Sequence, residues 1–172
     1  KTGLNESINF LDKNPDYVSA QGRYIAFWFE DSDTIDHCPR YVGAKDKEVF
    51  HLDAKERMKM SMFPYMHQFY AIHKTEILTD AFKVSTEFFQ PNAWELNLAL
   101  VPSIFGNFKT LPIFYGARES MDTSKTEGEQ MTLKEWYIDK SSENDSEKWR
   151  NSVAEIYSKH EGKEISEGRT VF

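Results

Sequence analysis

Apolar and polar residues alternate along two stretches in the middle of the chain, a pattern typical of half-buried β-strands. Gln90 to Asn92 supplies turn residues between the two stretches, so they are predicted to form an antiparallel pair. The apolar positions are Phe82, Val84, Phe88 with Thr86 in the first stretch, and Trp94, Leu96, Leu98 and Leu100 in the second.

Further segments add to this strand count. Arg23 to Glu30 is dense in aromatic and β-branched residues, which favours a buried strand. Asp31 to Gly43 and Gly116 to Glu129 are rich in turn residues and are predicted to be loops. The remaining predicted strands are Val49 to Leu52, Met58 to Phe63, Tyr65 to Lys74, Thr110 to Tyr115 and Met131 to Ile138.

Two helices are predicted at the ends of the chain. Leu4, Ile8 and Leu11 recur at helical spacing, which predicts a short helix from Leu4 to Lys13. Near the C-terminus an apolar helical face precedes a glycine that favours a helix stop, and this helix is predicted to pack on the sheet. The face consists of Trp149, Val153, Ile156 and Tyr157, and the glycine is Gly162.

Together these elements predict one domain over residues 1–172, of the mainly β (α+β) class. The expected core is an antiparallel β-barrel or strongly curved sheet of seven or eight strands. This order of elements resembles the calycin superfold, to which lipocalins belong, and the resemblance implies a barrel that binds a small apolar ligand. The lipocalin Gly-x-Trp and Thr-Asp-Tyr motifs are replaced here by Gly22-Arg23-Tyr24 and Thr79-Asp80-Ala81, so no site residue is carried over.

Composition narrows the classes of partner. The chain has 172 residues, a length that suits one domain, and a net charge of −7, which disfavours nucleic acid. Cys38 is the single cysteine, so an intrachain disulfide is impossible. The longest apolar runs are far shorter than the roughly 20 residues of a membrane span. The chain opens at Lys1, as a trimmed or engineered fragment would, and the sequence assigns no compartment.

The segment from Phe63 to His73 carries the most suggestive chemistry, because it mixes aromatic rings with two histidines. Such a mixture suits a pocket for a small hydrophobic or amphipathic molecule. The alternative is that these side chains are core residues and the histidines are satisfied by the backbone or water. The residues predicted to line the pocket are Tyr24, Trp28, Tyr65, His67, Tyr70, His73 and Trp94.

No cofactor is evident and no metal site is expected. His67 and His73 would be about 20 Å apart along a straight strand, too far to share one ion. The acidic run from Asp31 to Asp36 lacks the glycine and the glutamate that a calcium loop requires.

Three functions therefore remain. The favoured hypothesis is a non-enzymatic binding or carrier protein for a lipid-like or pigment-like ligand. The second is a lyase or isomerase that uses His67 or His73 as base with a tyrosine as donor. The third is an interaction module that docks through an exposed aromatic loop, Ile104 to Phe108. Ligand identity and oligomeric state are left open.

Overall fold

The protein folds as an α+β structure with a mixed sheet. A computed structural model describes residues 2–31, 34–42, 48–63, 68–85, 91–119 and 143–164. The α-helices in these ranges are α1 (Thr2–Lys13), α2 (Ala54–Met62), α3 (Thr75–Ser85), α4 (Pro91–Phe105) and α5 (Glu143–Glu161). The strands are β1 (Tyr17–Asp31), β2 (Thr34–Val42), β3 (Glu48–Val49), β4 (Ile72–His73) and β5 (Asn107–Glu119), and a 3-10 helix spans Gln68–Tyr70.

The sheet is open and is built around two long parallel strands. Its order is β2-β1-β5-β3, and the short β4 also pairs with β1. β1 and β5 run parallel, while β2 and β4 pair antiparallel with β1, and β3 pairs antiparallel with β5. Parallel neighbours require a crossover connection, and here the chain between them contains α2, α3 and α4.

The predicted antiparallel barrel of seven or eight strands is therefore wrong, and so is its calycin-like layout. Three predicted strands lie in helices: Met58 to Phe63 largely in α2, the Phe82 stretch in α3 as far as Ser85, and the Trp94 stretch in α4. Conversely, Thr34–Val42 falls in a predicted loop but forms β2. Met131 to Ile138 lies outside the described residues.

Helix α4 explains why alternation misled the sequence prediction. It begins with a proline, which favours the first helical position, and the run from Leu96 to Ile104 is buried on every side. Leu96, Leu98 and Leu100 are buried, but the intervening Ala99 is buried as well. A helix that is apolar around its circumference has no helical stripe, so its spacing also fits a strand.

The two terminal helices confirm their predictions. α1 extends the predicted Leu4 to Lys13 by two residues, and α5 ends immediately before Gly162, whose φ of 66° suits glycine at a helix C-terminus. However, the Trp149 face of α5 packs on helices and not on the sheet. Trp149, Val153 and Tyr157 share one core cluster with residues of α2, α3 and α4.

Arg57 joins α2 to the end of α4. It is 6% exposed, and its guanidinium donates to four carbonyl oxygens, those of His51, Leu52, Ser103 and Ile104, at 2.6 to 2.8 Å. The last carbonyls of a helix have no partner within the helix and carry the negative end of its dipole. A buried cation at this place therefore satisfies groups that would otherwise be left without hydrogen bonds.

None of the helices in the described ranges has both the length and the apolar character needed to cross a bilayer.

Candidate functional site

The sheet carries a row of buried polar side chains on the face that is covered by α2. Ser19 of β1 lies opposite His73 of β4, and Gln21 of β1 lies beside Thr110 of β5. Residues paired in this way point to the same face, and so do residues two apart along a strand. The same register places Phe108 beside Ser19, and Phe108 packs with Met60 of α2. The row therefore lies between the sheet and the helices.

Gln68 extends this row into the helical layer. It is fully buried, and its Nε2 donates to Ser61 Oγ of α2 at 3.0 Å. Ser61 Oγ in turn lies 2.5 Å from Ser103 Oγ of α4. The backbone carbonyl of Gln68 contacts His73 Nε2 at 2.9 Å, so Gln68 links the strand to both helices. We call the residues Ser19, Gln21, Gln68, His73 and Thr110 the polar seam.

Each residue of the polar seam has one polar atom without a hydrogen-bond partner in the described part of the chain. These atoms are Ser19 Oγ, Gln21 Oε1, Gln68 Oε1, His73 Nδ1 and Thr110 Oγ1. Ser19, Gln21, Gln68 and Thr110 are at most 2% exposed. Because an unpaired buried polar atom costs about 1–3 kcal/mol, five of them on one face are unusual.

The electrostatics of the polar seam keep His73 neutral. Burial lowers the pKa of His73 below its usual value, and the hydrogen bond to Gln68 opposes this shift only in part. A carbonyl oxygen can only accept, so the ring hydrogen of the neutral imidazole lies on Nε2. Nδ1 is then a hydrogen-bond acceptor.

The structure brings three of the predicted pocket residues to this region. Tyr70 ends the 3-10 helix and His73 follows it in β4, while Tyr24 of β1 is 4% exposed. The rings of Tyr24 and Tyr70 meet edge to face, with their centroids 6.0 Å apart. Tyr115 of β5 donates to the Tyr70 carbonyl at 3.0 Å, which ties this segment to the sheet.

Of the other four predicted pocket residues, the structure describes the side chain of Trp94 alone. Trp94 lies in the first turns of α4 and is 43% exposed. For Trp28 the structure describes the backbone, in β1. Tyr65 and His67 lie outside the described residues.

Sequence reasoning missed Ser19, Gln21, Gln68 and Thr110. Gly22 marks the start of the predicted strand at Arg23, but β1 begins at Tyr17. Ser19 and Gln21 alternate with Val18 and Ala20, a signal that was available but that predicts solvent-facing polar residues. Only the covering helices make these positions buried.

A second feature is an open groove between α3 and α5. Its volume is about 570 Å³, its floor is apolar, and its rim carries charges of both signs. The ion pair between Asp80 and Lys83, at 2.9 Å, occupies part of that rim and is largely solvent-exposed. The groove therefore selects no particular ligand chemistry. Its lining residues are Asp80, Lys83, Val84, Phe105, Glu155, Ile156, Lys159 and His160.

A third feature is a charged triad at the edge of the sheet. Tyr17 donates to Glu48, whose other carboxylate oxygen accepts from Lys109 at 2.6 Å. Lys109 and Tyr17 hold the pKa of Glu48 below its usual value, and burial together with Glu48 raises the pKa of Tyr17 to about 12. A tyrosine that resists ionisation is a poor base, so the triad serves to join β1, β3 and β5.

The aromatic segment Ile104 to Phe108 was predicted to be an exposed loop, and that exposure is wrong. Ile104 and Phe108 are at most 1% exposed, and Phe105 is half-buried against two core clusters. Within the described ranges, no group of three or more His, Cys, Asp or Glu side chains could hold a metal ion. Comparison with protein families, curated proteins and solved structures finds no match to this chain.

Proposed function

We propose that the protein binds a small organic molecule in the polar seam, between the sheet and helices α2 and α4. The observation that carries this proposal is the set of five buried polar atoms that face one layer without a partner in the described chain. Binding sites combine apolar walls with a few polar groups that orient the ligand. Phe108, which lies beside Ser19, and Met60 supply apolar surface on the same face.

The proposal keeps the small-molecule ligand expected from the sequence but moves it from a barrel interior to a sheet–helix interface. It also gives a reason for keeping polar groups that lower the stability of the fold. Buried polar groups without partners destabilise a fold, and residues that serve binding commonly carry such a cost. A purely structural sheet face would gain stability from Val and Leu at these positions.

The experiment compares Thr110→Val with Thr79→Val. Thr110 Oγ1 is an unpartnered atom of the polar seam, whereas Thr79 Oγ1 bonds the Thr75 carbonyl on the exposed side of α3. We expect Thr110→Val to raise the stability of the ligand-free protein by about 1 kcal/mol and to abolish retention of a small molecule in native mass spectrometry. Thr79→Val is expected to change neither.

Two results would overturn the proposal. The first is freshly purified protein that retains no small molecule, together with a high-resolution structure whose polar seam binds only ordered water. The second is a ligand that is retained equally by wild type and Thr110→Val. A reaction abolished by His73→Gln with ligand affinity intact would favour the enzyme alternative.

A further inference from the structure

The hydrogen-bonding capacity of the polar seam defines the chemistry of its ligand. Three of the five unpartnered atoms can only accept. His73 Nδ1 accepts because Nε2 carries the ring hydrogen, and the amide oxygens of Gln21 and Gln68 accept in every protonation state. The Gln68 amide orientation follows from its Nε2, which donates to Ser61.

The remaining two atoms are hydroxyl oxygens, which adapt to either role. Ser19 and Thr110 can donate or accept, so they impose no requirement of their own. The seam as a whole therefore has an excess of acceptors. A complementary ligand must supply at least three N–H or O–H donors.

The charges near the polar seam further limit the class of ligand. Gln68 is joined through Ser61 and Ser103 to the α4 terminus, where the buried Arg57 guanidinium is held by four carbonyls. A fixed cation on this network disfavours a cationic ligand, since charges interact strongly in a buried environment. The acceptor atoms carry partial negative charges, which disfavour an anionic ligand in the same buried environment.

The spacing of the strands limits the size of the ligand. His73, Ser19 and Thr110 lie on the three neighbouring strands β4, β1 and β5. Adjacent strands are about 4.8 Å apart, so these three side chains lie within about 10 Å of one another across the sheet.

From these observations we infer that the ligand is a small, uncharged molecule rich in N–H or O–H donors, of the amide, urea or polyol kind. The inference rests on the proposed function, because it assigns a ligand class to the same site. It differs from the lipid-like or pigment-like ligand expected from the sequence, whose surface would leave the acceptors unpaired.

The test uses small probes titrated into the full chain: methylurea and glycerol, which are neutral and have three donors each; acetone, which is neutral without donors; acetate; and methylammonium. The readout is the chemical shift of the Gln21 and Gln68 side-chain amides in ¹⁵N NMR spectra. We expect the neutral donors to bind at least about tenfold more tightly than the other three. Acetone and acetate have no donor and leave buried acceptors unpaired, while acetate and methylammonium carry a charge.

The outcomes separate the inference from the proposed function. If acetate, acetone or methylammonium binds the seam as tightly as methylurea, the ligand class is wrong while the site stands. If no probe shifts these amides and native mass spectrometry retains no molecule, the site itself is wrong. If the neutral donors are preferred as expected, Gln21→Leu should weaken that preference, with the Gln68 amide as the remaining reporter.

Discussion

The indole Nε1 of Trp149 in α5 donates a hydrogen bond to Oδ1 of Asn97 in α4, at 2.5 Å. Both residues are buried, with Asn97 fully inaccessible and Trp149 6% exposed. This contact holds the C-terminal helix against the central helix, beside the apolar cluster to which Trp149, Leu96 and Leu100 belong. A buried indole N–H needs such a partner, so the pair specifies the register of the two helices.

We predict that Asn97→Leu lowers the free energy of unfolding by about 1–3 kcal/mol, because the buried Trp149 N–H loses the Asn97 oxygen that accepts its hydrogen bond. Chemical denaturation followed by tryptophan fluorescence measures this loss. A double-mutant cycle with Trp149→Phe should give a coupling energy above about 0.5 kcal/mol. Additive losses in the two single variants would contradict the assignment.

Arg57 provides a second test, on the joint between α2 and α4. Arg57→Met should lower the free energy of unfolding by at least about 3 kcal/mol, since it leaves several buried carbonyls without donors. Arg57→Lys should lower the free energy of unfolding by a smaller amount, because an ammonium cannot make the same forked set of hydrogen bonds. Lys59→Met on the same helix is the control. Lys59 is more than half exposed and forms a surface ion pair with Glu56, so urea denaturation should show a change below about 0.5 kcal/mol.

Gly3 tests how closely α1 approaches the sheet. A Cβ on Gly3 would lie 2.4 Å from the Phe114 carbonyl oxygen and 2.9 Å from Tyr115 Cα, both backbone atoms that cannot move aside easily. Alanine is favoured over glycine in a helix by up to about 1 kcal/mol, but the clash should outweigh this gain. We expect Gly3→Ala to destabilise the protein by about 1–3 kcal/mol. Gly116→Ala is the control, because its Cβ would meet no atom within 4 Å. A thermal scan in which both variants match wild type would refute the close packing of α1 on the sheet.

The pH dependence of stability should report on His73. Its pKa in the folded state lies below the reference value of 6.5, so the unfolded chain takes up a proton first as the pH falls. The free energy of unfolding should therefore decrease as the pH is lowered from about 6.5 towards 5. Denaturation curves at half-unit pH steps measure this slope. His73→Gln should remove the slope, whereas the control variant His160→Gln, on the exposed side of α5, should keep it. A slope that survives in His73→Gln would place the titration elsewhere.

The alternation around Val84 shows how far sequence alone could lead. Phe82 and Val84 fit a period of two, but Ile77, Ala81 and Val84 also fit the helical spacing i, i+4, i+7, and they are the buried residues of α3. Phe82 is 47% exposed. For α2 the helix signal was present as well, because Asp53 is the N-cap and accepts from the Glu56 amide, three residues on.

Sequence by itself determined the two terminal helices, the strand segments within β1 and β5, and the absence of an intrachain disulfide, because each depends on local spacing or on composition. Tertiary structure alone decided the rest. Helix α4 is surrounded by other helices and by the sheet, so its sequence has no exposed stripe to reveal its period. Ser19 and Gln21 have the pattern of a solvent-facing strand edge, and they form the polar seam only because α2 and α4 cover that face. Burial depends on residues distant in the chain, which is why local pattern could not predict the candidate site.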